Sequence, residues 1–94
     1  MAIIINEKSR VIIQGITGRV GKNFAERMAR HYPNFVGGVT PGKGGQEVSG
    51  KPVFNTVSEA VKNVQANTSV IVVAAPFVKE AVFEAADAGI KTMW

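Results

Sequence analysis

The 94-residue sequence contains no cysteine, which excludes a disulfide framework, a thiolate metal site and a cysteine nucleophile. It has a single histidine, and its residues assemble into neither a Ser/His/Asp arrangement nor a set of metal ligands. The longest apolar run, Val70 to Ala75, is far shorter than the roughly 20 residues a membrane helix needs. The first residues lack the basic stretch and long apolar core of an export signal. These absences lead us to expect a soluble protein with no membrane partner and no bound metal, in the cytoplasm, or in the mitochondrial matrix if the source is eukaryotic. Acidic residues are also scarce, seven against eleven Lys and Arg, for a net charge of +4.

What is present is a folded segment rather than a disordered one, since 46% of the residues are hydrophobic and no low-complexity tract interrupts them. Its length allows one domain, residues 1–94, with a core that is marginal at this size. The charge is uneven. Residues 1–51 carry eight Lys and Arg against three acids, and residues 52–94 carry three against four. Positive charge over one half favours an anionic ligand there. Without a basic stripe or a platform of aromatic side chains, nucleic acid is not the expected partner.

Apolar periodicity alternates between strand and helix. Ala2–Asn6 and Val11–Gln14 read as short strands rich in Ile and Val. From Gly18 to His31, Val20, Phe24, Met28 and Tyr32 recur every four positions beside Ala25 and Ala29, the pattern of an amphipathic helix, which Pro33 closes. Phe35–Val39 reads as a buried strand and Val53–Asn55 as a brief one. Thr56-Val57-Ser58-Glu59 has capping-box spacing and opens a helix with Val57, Ala60, Val61 and Val64 on one face. Ser69–Ala75 reads as a central parallel strand ended by Pro76. A third helix over Phe77–Ala88 turns Val78, Ala81, Val82 and Ala85 inward and stops at Gly89. Ile90–Trp94 begins a further strand. This order predicts an α/β fold, a Rossmann-like doubly wound parallel sheet that is incomplete at its C-terminus, with ligands at the carboxyl ends of the strands.

Two glycine-dense loops fall at those ends. Gly15, Gly18 and Gly21 lead into the first helix, and Gly37-Gly38-Val39-Thr40-Pro41-Gly42-Lys43-Gly44-Gly45 follows the next strand. Bare backbone approaches a phosphate closely, and a helix start offers it unpaired amides and partial positive charge; Thr17 can add a hydroxyl. The spacing is GxxGxxG, not the GxGxxG of dinucleotide folds. The second strand also lacks the acidic residue that holds an NAD ribose, and Lys43 follows it instead. A cation there suits a ligand with an additional phosphate, which NADP and coenzyme A both carry.

The motifs Gln14-Gly15-Ile16-Thr17-Gly18, then Gly37 to Gly45, then Gly50-Lys51-Pro52-Val53-Phe54-Asn55-Thr56-Val57 resemble the start of the α subunits of the succinyl-CoA synthetase (succinate-CoA ligase) family, and the likeness spans essentially the whole chain. The resemblance implies a CoA-binding domain in which Thr17, Gly18, Arg19 and Val20 hold CoA phosphates and Lys43 contacts CoA. It further implies that Pro41 lines the same pocket and that Pro76 and Phe77 lie near the adenine end. Family members often have a small or polar residue, then Gln, Asn or Lys, where this chain has Arg19 and Val20, so Arg19 brings a charge of its own.

The function so implied is the CoA-binding portion of a tricarboxylic acid cycle ligase. A β subunit of ATP-grasp type binds the nucleoside triphosphate, a phosphohistidine outside this chain relays the phosphoryl group to the carboxylate, and the CoA thiol attacks the acyl phosphate. Relatives that ligate malate or citrate share the loops. On this reading the chain is a truncated piece, inactive alone, with no catalytic residue of its own. A stand-alone CoA-binding sensor is the alternative from another class, and an NADP-dependent oxidoreductase fragment is the least favoured. His31, at a helix end, reads as a surface or capping residue, and Glu80, Glu84 and Asp87 as a solvated helix face.

Overall fold

The computed structural model describes residues 8–94, so the strand expected over Ala2–Asn6 lies outside the described residues. The elements are β1 (Val11–Gln14), α1 (Arg19–His31), β2 (Phe35–Val39), β3 (Glu47–Val48), β4 (Lys51–Phe54), α2 (Val57–Val64), β5 (Thr68–Ile71), α3 (Val78–Asp87) and β6 (Thr92–Met93), with a 3-10 turn over Ala75–Phe77. The sheet order is β3-β4-β2-β1-β5-β6. Every neighbouring pair is parallel except β3 with β4. From β1 the chain winds outward through β2 and β4, then crosses back to β5 and β6 on the other side. That reversal is the switch point at which open α/β sheets form a crevice.

Alternation along β1 divides the core in two. Val11 and Ile13 face α1 and pack with Ala25, Met28 and Phe35. Ile12 faces the opposite layer and packs with Val57, Ala60, Ala85 and Ile90. The face of α1 turned to the sheet matches the expected stripe at Met28 and, half-buried, at Phe24, but not at its ends. Gly21, Ala25 and Met28 are the buried residues, whereas Val20 and Tyr32 are 64% and 39% exposed. Pro33 does follow the end of the helix. In α3, Ala81 and Ala85 are buried while Val78 and Val82 face outward.

Two further elements depart from the sequence reading. The strand expected over Ser69–Ala75 is a strand only over Thr68–Ile71; the Val72 amide makes a last bond to β1, at the Gln14 carbonyl, and the chain then turns through Ala75–Phe77 before α3. Apolar residues continue past Ile71 because they line the end of the sheet, not because they lie within it. The β3–β4 hairpin was not foreseen. Its turn residues, Ser49 and Gly50, both have positive φ, 53° and 79°, as a two-residue hairpin of matching twist requires.

Beneath the strand ends lies a buried polar link. The Ser69 hydroxyl donates to Gln14 Oε1 at 2.7 Å, and Gln14 Nε2 donates to the Ala81 carbonyl at 3.0 Å. This joins β5, β1 and α3. Ser69→Ala strands the Gln14 oxygen in a site where Gln14 is 3% exposed, so urea denaturation is expected to show a loss of about 1–3 kcal/mol. A loss below about 0.5 kcal/mol would mean that the amide finds another donor.

Candidate functional site

The carboxyl ends of β1 and β2, the segment after β5 and one side of α3 enclose a cleft of about 260 Å³. Gln14, Gly15, Val39, Thr40, Pro41, Val73, Phe77, Glu80, Ala81 and Glu84 line it. Each glycine of the first loop acts differently. Gly15 has φ +88°, and a Cβ there would meet the Val72 carbonyl and Val73 at 3.0 Å, so it makes the turn out of β1 against the neighbouring strand. Gly21 sits so close to Gly15 that a Cβ would fall 2.1 Å from the Gly15 carbonyl oxygen; it is a packing residue that lets α1 rest on the strand end. Gly18 is the N-cap of α1 and is exposed.

Hydrogen bonding decides which amides of these loops face a ligand. Gly15 donates to the Val39 carbonyl at 2.8 Å and Gly18 to the Gly15 carbonyl at 3.2 Å. The Thr17 amide and hydroxyl both donate to the Thr40 hydroxyl, at 3.3 and 3.1 Å. Gly18 provides no side-chain cap, so the first turn at Arg19 and Val20 is where helix amides point outward without one. Both residues are exposed. The apolar side chain of Val20 therefore belongs to the helix mouth rather than to the core.

The second loop is built the other way round. Gly42 and Gly44 donate to Asn55 Oδ1, Lys43 to the Thr40 carbonyl and Gly45 to the Val53 carbonyl. Its glycine amides are thus consumed by the protein itself, which corrects the expectation of a second backbone cradle. What this loop turns to solvent is the exposed Lys43 side chain, with Pro41 at the cleft wall.

Of the residues singled out in the sequence, Pro41 and Phe77 line the cleft, and Thr17 is one hydrogen bond from the lining residue Thr40. Gly18, Arg19 and Val20 stand at the start of α1, Lys43 stands in the second loop and Pro76 lies exposed in the turn before Phe77. Sequence reasoning missed Gln14 and Thr40 as parts of the site, because a buried amide and a loop hydroxyl carry no spacing signal. Glu84 is more than a solvated carboxylate: it accepts the Val57 amide at 2.8 Å and so caps α2 from another helix. The Thr56 hydroxyl accepts from the Glu59 amide at 3.1 Å. His31 is the exposed last residue of α1, and Glu26 pairs with Arg30 at 2.7 Å. Among the described residues no helix is long and apolar enough to cross a membrane, and no three His, Cys, Asp or Glu side chains are grouped to hold a metal.

The charge of the site is divided. Arg19 and Lys43 are contributed by the two loops, while Glu80 and Glu84 line the α3 side of the cleft.

A protein-family model described as "CoA binding domain" matches residues 6–94. The chain is 57% identical over 93 residues to succinate–CoA ligase [ADP-forming] subunit alpha 2 of Archaeoglobus fulgidus, covering 99% of this chain and 32% of that protein. It is 54% identical over 91 residues to malate–CoA ligase subunit alpha of Methylorubrum extorquens, covering 97% and 31%. The chain therefore spans about a third of the length of these relatives. Among solved structures, the crystal structure of RSP, a Rex-family repressor, superposes with a TM-score of 0.76 at 20% identity, over 92% of this chain and 44% of that one. At that identity the likeness is one of fold.

Proposed function

Because the chain belongs to the CoA binding domain family, we propose that the cleft and its rim receive coenzyme A, with the phosphates over the first turn of α1 and the adenine end toward Phe77. The observation that carries this reading is the division of charge at the strand ends. Uncapped amides at Arg19 and Val20 and the cations Arg19 and Lys43 belong to the two loops, and an apolar cleft with two carboxylates lies beside them. Phosphates are held by helix-start amides and cations, whereas Glu80 and Glu84 repel them from the α3 side. In this reading Thr17, Gly18, Arg19 and Val20 hold phosphate, Lys43 takes the ribose phosphate, and Pro41, Pro76 and Phe77 border the uncharged parts. When bound, the ligand supplies a thiol nucleophile; the residues of this chain bind and orient it.

Calorimetric titration with CoA, 3′-dephospho-CoA and NADP tests the proposal. CoA is expected to bind most tightly, and tighter binding of NADP would reject it. Phe77 offers an independent check, since it is 58% exposed yet lines the cleft. Base-to-aromatic stacking contributes about 1–3 kcal/mol, so Phe77→Ala is expected to weaken CoA and 3′-dephospho-CoA alike by about tenfold or more, with the unfolding midpoint unchanged. Unaltered affinity would move the adenine away from the 3-10 turn.

The names of the relatives support a wider role. We read the chain as the CoA-holding part of an acid–CoA ligase α subunit acting in the cytoplasm with a nucleotide-binding β subunit, the phosphorylated histidine lying outside these residues. Succinate is the favoured acid because the Archaeoglobus fulgidus relative, named for it, is 57% identical. The relative named for malate, at 54%, keeps that acid as the second reading. Both place the same demand on this chain, which is to present the CoA thiol.

A further inference from the structure

The stretch Val53-Phe54-Asn55-Thr56-Val57 ends β4 and caps α2, yet neither task uses the side chain of Asn55. Its single carbonyl oxygen accepts from the Gly42 amide at 3.0 Å and from the Gly44 amide at 2.9 Å. These are the residues on either side of Lys43. The Lys43 amide itself donates to the Thr40 carbonyl at 3.0 Å, and its carbonyl accepts from Gln46 at 3.2 Å. A Cβ on Gly44 would lie 2.6–2.9 Å from the Asn55 side-chain atoms, so the carboxamide fills the space that a side chain at 44 would need. Lysine is a flexible point charge on a long stem, and how much affinity it provides depends on how much freedom it loses on binding. Holding its two neighbouring peptides removes the backbone's share of that freedom beforehand and fixes where the stem begins.

We propose that Asn55 is a positioning residue, which clamps the loop from both sides of Lys43 and so aims the ammonium group at the ligand phosphate. The inference rests on the CoA reading of Lys43 given above. It assigns no ligand contact to Asn55 itself, and it explains why the glycine amides of this loop face inward: the loop binds through one side chain.

The test uses the 94-residue chain with CoA as the titrant. Asn55→Ala is expected to speed hydrogen exchange at the Gly42 and Gly44 amides by about tenfold or more while leaving α1 and β1 unchanged, and to weaken CoA binding by about three- to tenfold. In a Lys43→Ala background the same substitution should alter CoA affinity by less than about 1.5-fold, because a residue acting through Lys43 has nothing left to position. Gly44→Ala, whose methyl group displaces the carboxamide, should reproduce the loss and not add to it. Equal weakening with and without Lys43 would overturn the proposal, as would faster exchange with unchanged affinity. If Lys43→Ala alone leaves CoA binding intact, the lysine contact fails and takes this inference with it. Loss on Lys43→Ala with none on Asn55→Ala overturns the clamp alone.

Discussion

Replacing Lys43 by alanine is expected to weaken CoA binding by about tenfold while leaving 3′-dephospho-CoA nearly unaffected. An ordinary exposed ion pair contributes under about 1 kcal/mol, and Lys43 is exposed, so a larger effect needs a reason. Two are at hand. A phosphate monoester carries about −1.5 to −2 charges at neutral pH, and the peptides flanking Lys43 are already fixed by Asn55, which lowers the entropy lost on binding. Together they raise the contribution to about 1.4 kcal/mol, a factor of ten. Titrations at two salt concentrations check the assignment, since the Lys43 contribution should shrink as screening grows. Equal losses for both ligands would move the lysine from the ribose phosphate to the diphosphate.

Gly21→Ala should be the most destabilising single methyl group that can be added to the first loop. The new carbon would lie 2.1 Å from the Gly15 carbonyl oxygen and 2.9 Å from the Gly15 carbonyl carbon and the Ile16 Cα. All three are backbone atoms, so no side chain can rotate away, and α1 must lift off the strand end. Overpacking of this kind costs about 1–3 kcal/mol, a large share of the roughly 5–15 kcal/mol available to a domain. Because the same displacement moves the first turn of α1, CoA binding should fail with it. Gly18→Ala is the matched control: its Cβ would meet only the Gly15 carbonyl, at 3.5 Å, and the backbone has φ −70°, so the change should stay within about 1 kcal/mol. Denaturant midpoints for the two variants separate the roles, and equal stability would show that α1 shifts freely over the sheet.

These two glycines show how much the sequence can and does not reveal. That both interrupt an otherwise regular strand-to-helix passage is visible in the spacing. That one packs against backbone while the other lies open depends on where α1 comes to rest on β1. The stripe of Val20, Phe24, Met28 and Tyr32 held at Phe24 and Met28 and failed at its two ends for a related reason. Counting every fourth residue drifts around a helix of 3.6 residues per turn, and the sheet selected Gly21, Ala25 and Met28, the face that allows the closest approach. Likewise Val72 and Val73 continue the apolar run of β5 but belong to the end of the sheet, where the Val72 amide makes the last bond to β1.

Alternation of strands and helices, the glycine loop after β1 and, through the long motifs, the family were all legible in the order of residues alone. Those are properties of neighbouring residues: periodicity, turn propensity and motif spacing act over a few positions at a time. Which loop amides are bonded within the protein, the tie from Thr40 to the first loop, and the hold of Asn55 on both neighbours of Lys43 came from the three-dimensional arrangement. Gly44 and Asn55 are 11 positions apart and Thr17 and Thr40 are 23 apart, while the buried link from Gln14 to Ala81 spans 67. Partners at such separations meet because closure of the sheet brings strand ends together, and each buried or constrained polar group then takes whichever donor or acceptor the fold delivers.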